Sequence, residues 1–172
     1  MIGKEFMKAV ANGQIDILQL LFDALAETES AYCVIGGLAV NAYVEPVVSL
    51  DLDIVVVTDA TDSFLKAAEK IFHVEKFSHS VNLSTTKSDL RIQLWTDPRY
   101  QAFIARASTK ETMGYEMKVA ALEDVLQGKI WAYSDEQRRR SKRQKDLADI
   151  FRLVEAYPHL KDLLPESLKI EI

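Results

Sequence analysis

The stretch that decides the fold runs from Ile35-Gly36-Gly37, through thirteen further residues, to Asp51-Leu52-Asp53-Ile54. An apolar, β-rich run over residues 31–35 ends at the two glycines, which predicts a buried strand followed by a tight turn. Residues 38–43 then have helical character, and residues 50–57 are rich in Val and Ile, which predicts a second strand. The sequence therefore predicts a strand-turn-helix-strand unit that carries two acidic residues on its second strand.

Periodic patterns extend this unit in both directions. They predict helices over residues 6–27 (divided near Gly13), 62–72, 100–106, 122–133 and 145–156, and strands over 74–83, 90–95 and 115–119. This order predicts an α/β (α+β) fold, a mixed β-sheet flanked by helices and followed by C-terminal helices. We expect a single domain over residues 1–172, with a core over about 30–120, an N-terminal helix over 3–27 and a C-terminal helical part over 121–172.

Composition excludes several classes of protein. The chain has 172 residues, of which 48% are hydrophobic and 27% charged, as in ordinary globular proteins. No apolar run approaches the roughly 18 residues that a membrane helix needs, and the N-terminus lacks a signal-peptide pattern. A lone cysteine, Cys33, cannot form an internal disulfide. These features predict a cytoplasmic protein with no membrane partner.

Charge is distributed unevenly along the chain. The formal net charge is −5, which disfavours nonspecific binding to nucleic acid, yet six of the eight residues 138–145 are Lys or Arg. This basic run has two interpretations. It is either a solvated segment at the start of a helix or a phosphate-binding patch for an RNA or a triphosphate.

The two acidic residues are candidate metal ligands. Side chains alternate along a strand, so Asp51 and Asp53 share one face, and their Cα atoms are expected about 6–7 Å apart. Two carboxylates at this spacing can converge on one hard cation such as Mg²⁺ (or Mn²⁺), with triphosphate oxygens completing the coordination shell.

The Gly36-Gly37 turn is a candidate phosphate site. Glycine permits close backbone approach and unusual φ angles, and the following helix directs free N–H groups towards an anion. A triphosphate held by the turn and the metal would be open to in-line attack on its α-phosphate, with pyrophosphate leaving. Either pattern alone is common, so a structural or interaction protein with a merely exposed Asp-x-Asp pair remains an alternative.

The Gly36-Gly37 turn and the Asp51-Leu52-Asp53-Ile54 segment together resemble the first motif of the DNA polymerase β-like nucleotidyltransferase superfamily. The downstream segments Leu94-Trp95-Thr96-Asp97-Pro98, Leu122-Glu123-Asp124-Val125, Lys129 and Lys145-Asp146-Leu147-Ala148-Asp149-Ile150 are similar to the AbiEii-type abortive-infection toxin nucleotidyltransferases. The resemblance covers about residues 30–155.

The resemblance implies a role for each matched residue. Asp51 and Asp53 would ligate the metal and carry catalysis, and the nucleotide would contact Gly36, Gly37, Ser49, Lys129 and Asp146. It also implies NTP as the substrate and Mg²⁺ as the cofactor. RNA as the acceptor and an antitoxin protein as a partner would follow from the toxin branch.

Two departures from the superfamily pattern keep a second function open. The position that normally carries a third carboxylate matches Gln93, which cannot act as a carboxylate base, although Asp89 has the same strand parity. Val47 stands where members often carry Arg. The alternative is therefore a catalytically inactive module of the same fold that binds a nucleotide or a partner. RNA, protein and small molecules, including aminoglycosides, all remain open as acceptors.

Overall fold

The computed structural model describes residues 3–170, and its centre is one seven-stranded mixed β-sheet. The strands are β1 (Tyr32–Ile35), β2 (Asp51–Val56), β3 (His73–Lys76), β4 (Ser80–Thr85), β5 (Ser88–Trp95), β6 (Ser108–Thr112) and β7 (Tyr115–Val119). Their order across the sheet is β3-β4-β5-β2-β1-β7-β6. The predicted fold class, a mixed sheet flanked by helices, is confirmed.

Eight α-helices surround the sheet within the described residues. They are α1 (Gly3–Val10), α2 (Ile17–Glu27), α3 (Gly36–Val40), α4 (Thr61–Ala68), α5 (Gln101–Arg106), α6 (Leu122–Ser134), α7 (Arg140–Ala156) and α8 (Glu166–Lys169). Short 3-10 turns lie at Thr58–Ala60, Pro98–Tyr100 and Pro158–Leu163. Between residues 3 and 170, no helix has both the length and the apolar character needed to cross a bilayer.

Strand β2 lies at the middle of the sheet, parallel to β5 on one side and antiparallel to β1 on the other. Leu52 and Ile54 are completely buried in the core. Because strand side chains alternate, Asp51 and Asp53 project together from the other face. Helix α3 contacts both α6 and α7, which pack against each other, and this helical group supplies further polar side chains around the two acids.

Two predicted elements differ from the structure, and one strand was not predicted. The strand predicted over residues 74–83 is a hairpin of β3 and β4, closed by a hydrogen bond from the Phe77 N–H to the Ser80 carbonyl. Strand β6 was missed because its sequence, Ser-Thr-Lys-Glu-Thr, has only one buried residue, Thr112, and no apolar alternation. Helix α7 begins at Arg140 rather than at 145, so most of the basic run is helical.

The division into one domain over 1–172 stays a prediction. Its outermost residues, 1–2 and 171–172, lie outside the part of the chain that the structure describes. The expected break in the N-terminal helix near Gly13 is present, because α1 ends at Val10 and α2 begins at Ile17.

Candidate active site

The glycine turn packs directly against one of the two acids. Ile35, the last residue of β1, pairs with Asp53 on β2, so the next residue, Gly36, lies beside the Asp53 side chain. Gly36 has φ +70°, and a Cβ atom there would overlap the Asp53 carboxylate. Only glycine satisfies both the left-handed backbone and this close approach.

Replacing Gly36 with Ala should destabilise the protein by more than about 1 kcal/mol, the cost of a left-handed backbone for an L-residue. The overlap with Asp53 adds to this cost. Gly37→Ala is the matched control, because its Cβ would meet only Ser49 Oγ at 3.8 Å, an ordinary contact. Urea unfolding of the two variants tests the difference, and equal midpoints would contradict the packing described here.

Within residues 3–170, one side-chain hydrogen bond holds the Asp53 carboxylate. The indole Nε1–H of Trp95, at the end of β5, donates to Asp53 Oδ1 at 3.0 Å. Burial raises the pKa of the Asp53 carboxyl, and the Trp95 hydrogen bond and the charge of Lys129 offset this only in part, so the pKa lies above its ordinary value. The site therefore holds this carboxylate in a poorly solvated place.

Asp51, in contrast to Asp53, is paired with two cationic side chains. Arg91 Nε lies 2.7 Å from its Oδ1, and Lys142 Nζ lies 3.0 Å from its Oδ2. Burial raises the pKa of the Asp51 carboxyl, but Lys142 and Arg91 together outweigh burial, so the pKa lies below its ordinary value. Two carboxylates on one strand face thus have pKa values displaced in opposite directions, a pattern often found at functional sites.

A buried ion cluster lies beside the two acids. Lys129 Nζ on α6 lies 3.0 Å from Asp146 Oδ1 and 2.7 Å from Asp149 Oδ2, both on α7. Arg138 Nε contacts the other Asp146 oxygen at 2.7 Å. Lys129 is 8% exposed and Asp146 only 1%. Burial opposes the charge of Lys129, yet Asp149 and Asp146 more than offset it and raise the pKa of the ammonium group.

Two adjoining cavities contain these groups. The smaller, of about 60 Å³, is lined by both carboxylates and by Gly37, Asn41, Val47, Val48, Ser49, Lys129, Arg138, Lys142, Lys145, Asp146, Asp149 and Arg152. The larger, of about 370 Å³, is lined by Gly36, Asp53, Lys129 and Asp146 together with aromatic residues. Asp53 lines both cavities, so a ligand that fills them would pass directly over it.

Aromatic side chains form the wall of the larger cavity. Trp95, Tyr100 and Trp131 line it. Arg99 lies 4.6 Å from the centroid of the Trp131 ring, and Phe103 stacks on that ring with centroids 5.6 Å apart. The cavity therefore combines apolar rings with cationic groups, as sites for small organic ligands commonly do.

The carboxylates of this site do not complete the coordination shell of a divalent cation by themselves. A bound ligand, such as a substrate with phosphate groups, would have to supply the remaining oxygen atoms. Within residues 3–170, no group of three or more His, Cys, Asp or Glu residues is arranged to hold a metal ion. Asp51 and Asp53 nevertheless line one cavity, and Mg²⁺ is commonly held by one or two carboxylates plus substrate phosphates. The two acids are thus the residues that would hold the metal.

The strand register decides which residue neighbours each acid. Gln93 pairs with Asp53, and Arg91 pairs with Asp51. Strand β5 includes Asp89, but this residue lies two positions before Arg91, about 6–7 Å farther along the strand. Val47 is exposed, with 54% of the residue accessible to solvent.

The structure brings the predicted residues together and adds others. Ser49 Oγ accepts a hydrogen bond from the Asp51 N–H at 3.2 Å, which secures the entry into β2. Sequence reasoning missed Asn41, whose side chain donates to the Val47 carbonyl at 2.7 Å and accepts from its N–H at 3.0 Å. It assigned no site role to Trp95, and it included Lys142 only as part of the basic run 138–145, for which phosphate binding was one of two interpretations. The signal for Trp95 was its strand parity with Gln93.

Comparisons with known proteins give the same class of fold. No protein-family model matches the sequence, and no curated protein matches it. The structure is similar to ANT(2'')-Ia in complex with adenylyl-2''-tobramycin, with a TM-score of 0.60, 16% identity, and coverage of 91% of this chain and 93% of that one. It is also similar to the lincomycin-bound lincosamide antibiotic adenylyltransferase LnuA, with a TM-score of 0.56, 12% identity, and coverage of 79% and 95%.

A third similar structure is an antigenic nucleotidyltransferase-like protein from Paracoccidioides brasiliensis, with a TM-score of 0.50, 19% identity, and coverage of 80% of this chain and 74% of that one. At such low identities, these similarities establish the fold and not the reaction. The chain therefore has the nucleotidyltransferase fold.

Proposed function

We propose that this protein transfers a nucleoside monophosphate from an NTP to an acceptor, with Mg²⁺ (or Mn²⁺) held by Asp51 and Asp53. One observation carries the proposal: both carboxylates line a single cavity with Gly37, Ser49 and several cations. A triphosphate needs positive charge and N–H donors, whereas a divalent metal needs carboxylates, and this cavity supplies both.

The side chains have separate tasks in this reaction. Gly36 and Gly37 let the backbone approach the phosphates, and Lys129, Arg138 and Lys142 lie where they can neutralise phosphate charge. The metal, when bound, would polarise the α-phosphate and withdraw charge from the leaving group. The acceptor oxygen forms a bond to the α-phosphorus, the bond to the pyrophosphate oxygen breaks, and the hydroxyl proton passes to solvent.

Two sources suggest an acceptor class. The resemblance to the AbiEii-type toxins suggests an RNA acceptor, a toxin role and an antitoxin partner. The similar structures instead include ANT(2'')-Ia in complex with adenylyl-2''-tobramycin and lincomycin-bound LnuA, which favours a small molecule. The exposed Arg139, Arg140 and Lys145 near the site are compatible with an RNA backbone.

An NTP with Mg²⁺ should raise the thermal unfolding midpoint, because a ligand that binds only the folded state stabilises it by about 2.7 kcal/mol at one hundred times its Kd. Thermal unfolding and isothermal titration calorimetry with each of the four NTPs measure this. EDTA serves as the control and should remove most of the shift. Absence of both heat and shift with all four NTPs would refute the proposal.

A catalytically inactive binding module is the second candidate function. Gln93 lies opposite Asp53 where a third carboxylate would be expected, and Asp51 is already paired with Arg91 and Lys142. Both features favour binding without transfer. Incubating the protein with α-³²P-labelled NTP and a cell extract separates the two candidates, since the module binds NTP but labels no acceptor.

A further inference from the structure

Both oxygen atoms of the Asp51 carboxylate contact cationic side chains. Arg91 Nε on β5 lies 2.7 Å from Oδ1, and Lys142 Nζ on α7 lies 3.0 Å from Oδ2. A divalent metal bound by the same carboxylate would lie close to these two positive charges, and like charges at such short range repel strongly. Metal binding at Asp51 therefore requires that at least one of the two cations moves away.

Lys142 differs from Arg91 in the groups that it can reach. Lys142 lines the small cavity beside Gly37, whereas Arg91 does not. Arg91 instead lines a separate cavity on strands β3, β4 and β5, which Lys142 also borders. Lysine carries a compact charge with rotatable donors on a flexible stem. Lys142 can therefore exchange Asp51 for a phosphate group in the small cavity, an exchange that the placement of Arg91 does not offer.

Three other basic side chains of the small cavity have partners that a metal would leave in place. Lys129, Arg138 and Arg152 pair with carboxylates of α7. Within residues 3–170, Asp51 is the one acidic partner of Lys142. A metal bound by Asp51 would thus displace Lys142 without breaking the other pairs, and Lys142 would then need a new anion.

The position of Lys142 at the start of a helix also favours such an anion. Helix α7 begins at Arg140, and its first turn contains Arg140, Lys142 and Arg143 but no acidic residue. Cations are disfavoured near a helix N-terminus, because the positive end of the helix dipole lies there. A nearby anion offsets this cost. Asp51 supplies it in this structure, and a triphosphate would supply it when bound.

The charges around the small cavity disfavour a metal that binds by itself. Its lining includes five basic and four acidic side chains, so a divalent cation alone would add to an excess of positive charge. A triphosphate that binds with the metal reverses this balance, because it brings several negative charges into the same cavity.

We propose that Lys142 couples metal binding to nucleotide binding by exchanging Asp51 for a phosphate of the nucleotide. This inference rests on the proposed function. While Lys142 pairs with Asp51, the carboxylate is a poor metal ligand. Once Lys142 pairs with the triphosphate, Asp51 is released to the metal. The metal and the nucleotide therefore bind better together than separately, and each raises the affinity for the other by the same factor.

Lys142→Met should tighten the binding of Mn²⁺ alone by roughly tenfold, because it removes a charge that competes for Asp51. The free Mn²⁺ signal in electron paramagnetic resonance, recorded without nucleotide, gives the Kd. Arg91→Met should also tighten Mn²⁺ binding, since Arg91 contacts the same carboxylate. Adding Asp51→Asn to Lys142→Met should remove the gain, which assigns the effect to Asp51.

The preformed complex of Mn²⁺ with inorganic triphosphate separates the two cations. Arg91→Met should tighten its binding by the same factor as that of Mn²⁺ alone, because Arg91 makes no phosphate contact. Lys142→Met should not tighten it, because the lost phosphate contact offsets the removed competition. Isothermal titration calorimetry measures both. Lys142→Gln is a second variant that removes the charge and should behave alike, and Lys66→Met, at an exposed lysine on α4, should change neither affinity.

Two results would overturn the exchange: an unchanged Mn²⁺ affinity in Lys142→Met, or an equal gain in that variant for Mn²⁺ alone and for the triphosphate complex. Either result, with the complex still bound by the unsubstituted protein, rejects the role of Lys142 and leaves the nucleotide site intact. If the unsubstituted protein binds neither the triphosphate complex nor any of the four NTPs, the proposed function fails together with the exchange.

Discussion

Asp53→Asn should lower nucleotidyl transfer by at least about 100-fold, since a metal ligand contributes several kcal/mol to transition-state stabilisation. The thermal midpoint of the variant without ligand should not fall. Burial disfavours the charged carboxyl of Asp53, and Asn keeps an oxygen that can accept the Trp95 hydrogen bond. Transfer of radiolabel from NTP and a thermal melt measure the two quantities in the same preparation.

The control for this variant is Asp59→Asn, which removes the same charge from an exposed residue outside the described cavities. It should leave both transfer and the thermal midpoint unchanged. Full activity in Asp53→Asn would show that the Asp53 carboxylate is not needed for the reaction. A strongly lowered midpoint would instead show that its charge supports the fold.

Lys129→Met should reduce the free energy of unfolding by about 3 kcal/mol, the typical cost of removing one partner from a buried ion pair. Asp146 and Asp149 would lose their shared ammonium group, and Asp146 is only 1% exposed. Arg138 remains beside Asp146 and Arg152 beside Asp149, which limits the loss. Urea unfolding at pH 7 gives the value.

Lys66→Met is the comparison for this experiment, because Lys66 is an exposed lysine on α4. The free energy of unfolding of Lys66→Met should differ from that of the unsubstituted protein by no more than about 0.5 kcal/mol. A loss below about 1 kcal/mol in Lys129→Met would mean that Arg138 and Arg152 alone satisfy the two carboxylates. In that case Lys129 could leave its ion pairs and bind a phosphate with little loss of folding stability.

The part of the site that local patterns could predict is the part made by one strand and one turn. Alternation along β2 is enough to place Asp51 and Asp53 on the same face, and a double glycine after an apolar run is enough to predict a turn. The prediction that Lys129 and Asp146 belong to the site came from the resemblance, because no local pattern joins residues of α6 and α7 to β2.

Some contacts of the two acids depend on how distant strands pair, and these could not be predicted from the sequence. Arg91 contacts Asp51, and Trp95 donates to Asp53, because β5 pairs with β2 in one particular register. A shift of one residue would turn both side chains to the other face. Likewise, Asn41 holds the backbone of Val47 across a loop, and loop geometry of this kind leaves little trace in hydrophobic periodicity.

The larger cavity has a practical consequence for observing this protein in solution. The chain contains two tryptophans, and both Trp95 and Trp131 line that cavity. All of the intrinsic indole fluorescence therefore arises in the wall of this cavity, where the Trp95 N–H donates to the Asp53 carboxylate and the Arg99 guanidinium lies 4.6 Å from the centroid of the Trp131 ring. Occupancy should be readable from emission intensity or wavelength without any added dye, and each ring can be assigned by replacing the other with Phe.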